Sequence, residues 1–117
     1  MTHLDKKNLL LLNLILGFFS WSDISKLQVP EGFEIQEFVT EIDDARQMVE
    51  GNNYIFVGTK SAGNVYAIDR NNFNKVSIIL TELYMPTGVA LKNGDLYIAE
   101  TDTIHVVKNI ESKLVTN

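Results

Sequence analysis

An internal repeat constrains this chain more than any other feature of its sequence. When the sequence is shifted by 41 residues against itself, side chains of similar size and polarity coincide from residue 35 to residue 57. A two-residue deletion then brings Val65 and Tyr66 onto Ile104 and His105, at an offset of 39. Phased repetition is typical of folds built from successive copies of one unit. The coinciding pairs include Ile35/Val76, Phe38/Ile79, Val39/Leu80, Ile42/Leu83, Met48/Val89, Asn52/Asn93, Ile55/Leu96, Phe56/Tyr97 and Val57/Ile98.

Each copy shows short strands separated by turns. Residues 54–59 and 95–100 are rich in β-branched and aromatic side chains, and each follows a turn that contains Asn and Gly. Four short antiparallel strands in about 40 residues are typical of a β-propeller blade. The sequence therefore predicts an all-β fold of about two four-stranded antiparallel blades, with a small β-sandwich as the alternative. The other predicted strands are hairpin partners at 64–68 and 103–107 and outer strands at 34–38 and 75–80.

The N-terminus has the pattern of an export signal. Lys6 and Lys7 precede an apolar run that extends to Trp21, which is too short to span a bilayer. We expect a signal helix, cleavage after Ser22, and a periplasmic or secreted protein that meets the membrane only through this signal; an uncleaved anchor or a buried helix is the alternative. The predicted organisation is a signal peptide at 1–22, a connecting segment at 23–32, and repeats at 33–73 and 74–117.

Composition excludes several classes of site. The chain has no cysteine, so it can hold no disulfide and no thiolate metal cluster. Its formal net charge of -5 argues against nucleic acid as a partner, because binding to a phosphate backbone depends on Lys and Arg.

An ordered set of motifs carries a family resemblance. The motifs are Leu27-Gln-Val-Pro-Glu-Gly-Phe33, Ala45-Arg-Gln-Met48, Phe56-Val-Gly-Thr59, Gly63-Asn-Val-Tyr-Ala67, Met85-Pro-Thr-Gly-Val-Ala90 and Leu96-Tyr-Ile-Ala-Glu100. With these motifs in this order, the chain from about Leu27 to Leu114 resembles the first part of the glucose/sorbosone dehydrogenase family, the quinoprotein sugar dehydrogenases. The resemblance implies an exported six-bladed propeller that binds pyrroloquinoline quinone (PQQ), with calcium possible in the full-length protein, and that oxidises a sugar or aldehyde by hydride transfer to the quinone.

The chain also departs from that family. The family's catalytic His and most of its cofactor contacts lie on later blades, so the resemblance assigns no catalytic residue here and implies that this chain alone is inactive. Related sequences often carry an acidic calcium-like turn where this chain has Asp69-Arg-Asn-Asn-Phe-Asn74, and no metal ligand is expected there. Two blades do not close a ring, so we expect further blades or self-association to complete it.

Three residues are candidates for cofactor binding. In a propeller the loops that lead into the innermost strands surround the central channel, which places Arg46, Gln47 and Thr87 towards a bound ligand. Arg46 fits best, because its guanidinium can form two parallel hydrogen bonds with a cofactor carboxylate. The alternatives are an ion pair of Arg46 with Asp43 or Asp44, and roles of Gln47 and Thr87 in satisfying turn backbone.

Other polar residues are assigned to structure. His105 coincides with Tyr66, which predicts packing within a strand rather than proton transfer. We expect the carboxylates of Asp43, Asp44, Glu100 and Asp102 to be solvated, and Pro86 and Gly88 to shape a turn. The leading hypothesis is the N-terminal part of a PQQ-dependent sugar or aldehyde dehydrogenase-like propeller. A non-enzymatic propeller module that binds protein or glycan, and a lactonase-type propeller hydrolase, are the alternatives.

Overall fold

The computed structural model describes residues 23–115, in two compact units that meet between Glu37 and Phe38. The predicted signal helix at 1–22 lies outside the described residues. In the first unit a short 3-10 helix, Ile24–Lys26, is capped by Asp23, whose carboxylate accepts a hydrogen bond from the Ser25 amide (3.2 Å). Phe33 N–H then donates to Pro30 O (3.1 Å) in a turn.

The second unit contains seven strands in two antiparallel sheets. The first sheet consists of β1 (Ala45–Glu50), β2 (Tyr54–Thr59), β3 (Val65–Asp69) and β4 (Asn72–Leu80), in that spatial order. The second sheet consists of β5 (Gly88–Lys92), β6 (Asp95–Ala99) and β7 (Ile104–Val107), and a short helix α1 (Ile110–Val115) follows it. The all-β prediction is therefore confirmed. A strand lies at 54–59 as predicted, and the strands predicted at 64–68, 95–100 and 103–107 lie within one or two residues of those bounds.

Two details differ from the prediction. Residues 34–38 form no strand, so the outer strand expected there is wrong. A strand needs a neighbour that accepts its backbone hydrogen bonds, and no strand pairing of the described chain includes this segment. The second sheet also has three strands among the described residues instead of four, because the chain leaves β7 through Asn109, at a φ of 49°, and enters α1.

The sheets also do not follow the sequence repeats. β4 pairs with β3 in the first sheet, although its residues 75–80 open the second repeat, which begins at residue 74. The first sheet therefore joins strands from both sequence copies, whereas β5, β6 and β7 of the second sheet all come from the second copy.

The β5–β6 hairpin shows how the sequence sets register. Asn93 and Gly94 both have positive φ, 53° and 81°, as the two central residues of a type I′ turn require. Asp95, opposite Lys92, then accepts hydrogen bonds from Lys108 Nζ (2.8 Å) and from the Asn109 amide (3.0 Å). The hydrogen bond from Lys108, followed by that from the Asn109 amide, lowers the pKa of Asp95. This carboxylate thus ties the start of β6 to the end of β7.

One apolar core lies between the two sheets. On the first sheet Phe56, Val65 and Ala67 are almost completely buried, and they pack with Leu96 and Ile98 of the second sheet and with Ile110 of α1. We call these six residues the intersheet core. Because side chains alternate along a strand, the neighbouring residues of the first sheet point the other way.

Those neighbouring residues form a separate core on the opposite face of the first sheet. This core consists of four buried residues, Ile55, Val57, Tyr66 and Ile68. Val39, Ile42 and Val76 pack against them and cover them. We call this set, with its three covering residues, the outer core. Both faces of the first sheet are therefore apolar and covered.

The backbones approach closely where the second sheet meets the first. Thr59 N–H donates to Pro86 O (3.1 Å), and a Cβ atom at Gly58 would overlap Pro86 O and lie 2.7 Å from Thr87 O. Only glycine leaves room for this approach. Among residues 23–115, no helix has the length and apolar character needed to cross a membrane.

Candidate functional site at the loop face

The candidate cofactor residues lie at one edge of the sheets. In antiparallel sheets the ends of β2, β4 and β6 meet the starts of β1, β3, β5 and β7. We call this edge, formed by residues 43–47, 59–64, 84–88 and 100–103, the loop face. Arg46 and Gln47 lie at the start of β1, inside the strand and not in the loop before it, and Thr87 lies in the loop that leads into β5.

Arg46 is held by its own neighbourhood. Its Nη2 atom lies 3.1 Å from Asp44 Oδ1, and its Nη1 donates to Ala45 O (3.1 Å). Asp44 takes a positive φ of 58°, and its second carboxylate oxygen accepts from the amides of Ser61 and Ala62. The ion pair that the sequence left as an alternative is therefore present, and a ligand carboxylate would compete with Asp44 for the charge of Arg46.

Gln47 lies at the junction of the two sheets. Its Oε1 atom lies 3.6 Å from the position that a Cβ atom would take at Gly88, the first residue of β5. Thr87, the residue before Gly88, is half-buried, and its amide donates to Met85 O (2.8 Å). The starts of β1 and β5 therefore stand side by side, with the Gln47 amide and Thr87 near their junction.

His105 forms a hydrogen bond with Glu100 instead of packing in a core. His105 lies on β7, as predicted, and its Nε2 is 2.8 Å from Glu100 Oε2. Glu100 Oε1 accepts from the Tyr84 amide (2.6 Å). The hydrogen bond with His105, followed by that from Tyr84, lowers the pKa of Glu100. Tyr66, its counterpart in the first sheet, is buried in the outer core, so equivalent positions have different environments.

The other predicted carboxylates have ordinary surroundings. Asp102 Oδ1 accepts from Thr103 Oγ1 (3.1 Å), and Asp43 is exposed. Within residues 23–115 no three His, Asp or Glu side chains converge in a way that could hold a metal ion. At the loop face Arg46 is thus paired with Asp44, and Glu100 is hydrogen-bonded to His105 and to the Tyr84 amide.

Sequence reasoning missed a cavity at the opposite edge. A cavity of about 560 Å³ lies at the β1–β2 and β5–β6 turns, and its lining includes Asn52, Asn93 and Arg70. Arg70 Nη1 donates to Gly51 O (2.8 Å) and Asn52 O (3.0 Å), and its Nη2 pairs with Glu50 (2.6 Å). The coincidence of Asn52 with Asn93 in the repeat is the signal that marks these turns, but the cation in this cavity is already paired.

PQQ provides a direct test of the loop face. Its carboxylates require cations and backbone donors around the ring. Arg46 is committed to Asp44, and cavities of about 560 Å³ and 390 Å³ are both lined by other residues than Arg46, Gln47 and Thr87. These residues do not by themselves form a PQQ site, and at most they supply one side of one.

The chain is similar to a bacterial protein and to an archaeal protein of known structure. No family model matches the sequence. A protein of Borreliella burgdorferi (strain ATCC 35210), described as an uncharacterized protein, is 33% identical over 94 residues, which cover 77% of this chain and 24% of that protein. The chain thus spans about a quarter of the length of this curated relative. A crystal structure of Ph1500 from Pyrococcus horikoshii is similar with a TM-score of 0.41 and 15% identity, over 68% of this chain and 52% of that one.

Proposed function

We propose that the second unit forms two successive blades of an exported β-propeller whose loop face borders a central ligand, and that the complete protein is a PQQ-dependent sugar or aldehyde dehydrogenase. One observation supports the propeller most: β1 and β5, the first strands of the two sheets, lie side by side, with Gln47 beside Gly88. Successive blades place their first strands next to one another around a channel. The dehydrogenase assignment depends on the sequence motifs that resemble that family.

In this proposal the chain contributes binding groups and no chemical step. Gln47 and Thr87 offer an amide and a hydroxyl at the junction of the two sheets, and Arg46 offers a charged fork if a cofactor carboxylate displaces Asp44. Residues outside this chain would have to supply the base and the remaining cations. The substrate class, a sugar or aldehyde, likewise follows from the resemblance.

A non-enzymatic binding module is the second candidate. Arg46, the one cation among the three candidate residues, is paired with Asp44, which leaves these residues as a polar surface without an unpaired cation. Such a surface suits a neutral glycan or a protein better than a cofactor with several carboxylates.

The test uses the complete gene product. We expect PQQ added with calcium to bind, and the quinone absorbance to change when an aldose or an aldehyde is added. Arg46→Gln should weaken PQQ binding roughly 10-fold or more, since a hydrogen bond to a charged group contributes about 1.5–3 kcal/mol. Arg70→Gln, a change of the same kind at the opposite edge, is the matched control and should bind as the unchanged protein does.

Absence of any quinone change with PQQ, calcium and a panel of aldoses and aldehydes would contradict the dehydrogenase assignment. Retained binding to glycans or proteins in the same preparation would then support the binding module. Hydrolysis of lactones in the presence of a divalent cation would indicate the hydrolase alternative.

A further inference from the structure

The two sheets face the same way along the stack. The face that the first sheet buries beneath the second sheet therefore has an equivalent on the far side of the second sheet, and this equivalent face is exposed. Ile55 and Val57 coincide in the repeat with Leu96 and Ile98. Ile55 and Val57 face the outer core, and Leu96 and Ile98 face the first sheet. Each sheet therefore turns the same side towards whatever precedes it.

Burial at equivalent positions shows the consequence. In the first sheet Phe56, Val65 and Ala67 are 0%, 0% and 1% exposed beneath the second sheet. Their counterparts on the other side of the second sheet are Tyr97, Ile104 and Val106, which are neighbours through the β6–β7 register. Ile104 is 72% exposed and Val106 is 45% exposed. We call Tyr97, Ile104 and Val106, with Ala90 and Ala99, the open face.

The same chain carries a face that matches the open face. Within the structure, the second sheet packs on the first with Leu80 and Leu83 beside the intersheet core. Val39 and Ile42, their counterparts in the repeat, pack in the same way against the outer core. Met48, the counterpart of Val89, lies on this side of the first sheet opposite Val57 and is 62% exposed, whereas Val89 packs against the intersheet core.

We propose that the open face docks the outer-core side of a second copy of this chain, head to tail. The contact between copies would repeat the contact between the two sheets. Met48 and Ile42 of one copy would lie over Tyr97, Ile104 and Val106 of the other, as their counterparts Val89 and Leu83 pack against the intersheet core. Phe38 and Val39 of the added copy would then pass the edge of β7, which pairs only with β6 among the described residues, as Ile79 and Leu80 do at β3. Ala99 occupies in the second sheet the position that Gly58 occupies in the first. Because Ala99 carries a methyl group, the backbones of the two copies would lie further apart at this point than the backbones of the two sheets do at Gly58.

This contact is heterologous, because each copy uses a different face. Repeated addition gives a closed ring when the rotation between copies closes, and an open chain otherwise. The proposal depends on the stacking of the two sheets and holds whether or not PQQ binds. Burying an apolar face of this kind is the usual way in which an exposed sheet is protected.

Sedimentation velocity of the 117-residue chain and three variants tests the proposal. The unchanged chain should form assemblies whose mean mass rises with concentration. Ile104→Lys, which breaks the open face, and Met48→Lys, which breaks the opposite side, should each be monomeric. Val115→Lys is the matched control, because Val115 is 71% exposed and lies on α1, outside both faces; it should assemble as the unchanged chain does.

Mixing the two monomeric variants is the sharper measurement. Met48→Lys retains an intact open face and Ile104→Lys retains an intact outer-core side, so the mixture should form a 1:1 dimer and nothing larger. A mixture that stays monomeric would overturn the head-to-tail contact. A monomeric unchanged chain would also overturn the proposal. If Ile104 were then buried only in a longer gene product, the segment that covers the open face would be a later part of that product.

Discussion

Replacing Phe56 with Ala is expected to lower the free energy of unfolding by about 3–5 kcal/mol. Phe56 is 0% exposed and lies in the intersheet core with Leu96, Ile98 and Ile110. Removing the ring leaves a cavity between two sheets that are held in place by short turns, so the gap can close only in part. Small domains have a stability of about 5–15 kcal/mol, and the variant should therefore be close to unfolding at ambient temperature.

Tyr97→Ala is the matched control for that experiment. Tyr97 coincides with Phe56 in the repeat but lies on the open face and is half-buried. Its truncation should cost less than half as much as that of Phe56 when both are measured by urea unfolding, followed by far-UV circular dichroism. The Ile104→Lys background keeps association from contributing to either value. Equal costs at the two positions would mean that the second sheet does not cover the first.

Replacing Gly58 with Ala is expected to cost about 1–3 kcal/mol, although a single methyl group is added. The new Cβ atom would meet the backbone oxygens of Pro86 and Thr87, and neither can move without weakening the hydrogen bond from Thr59 N–H to Pro86 O. Backbone that is fixed by its own hydrogen bonds yields less readily than a side chain. The change should lower the urea midpoint without changing the slope of the transition.

The control for Gly58 is again its repeat counterpart. Ala99 occupies the equivalent position in β6, opposite Ile104, as Gly58 lies opposite Val65. Ala99→Gly should cost about 0.5–1 kcal/mol or less, the usual effect of glycine in a strand, since Ala99 lies half-buried on the open face. If Gly58→Ala proved neutral, the close approach of residues 86 and 87 to β2 would be wrong.

The repeat predicted more of the fold than any single segment did. Strands at 54–59, 64–68 and 75–80 lie close to those of the structure because β-branched and aromatic side chains favour strands and flanking turns limit them. Residues 34–38 coincide with residues 75–79 in the repeat, yet only the latter find a partner strand. A sequence pattern cannot tell which chain supplies that partner. The helix α1 has six residues, which is too short for a helical period to be visible.

The site was predictable only as an approximate position along the chain. The sequence predicts Arg46, Gln47 and Thr87 in the loops that lead into β1 and β5, whereas Arg46 and Gln47 lie within β1 itself. It left open whether Arg46 is free for a ligand, because that depends on Asp44. At a positive φ the Asp44 carboxylate reaches both Arg46 and the amides of the β2–β3 turn. The positive φ of an Asp cannot be deduced from residue type, since Asp enters this conformation only where its surroundings require it.

Nuclear Overhauser effects from the Phe56 ring test most directly whether the two sheets stack face to face. On the monomeric Ile104→Lys variant, the account predicts cross-peaks from this ring to methyl groups of Leu96, Ile98 or Ile110, all of which share its core. Cross-peaks confined to residues of the first sheet, with the Leu96 and Ile98 methyl groups in contact only with residues of the second, would contradict it.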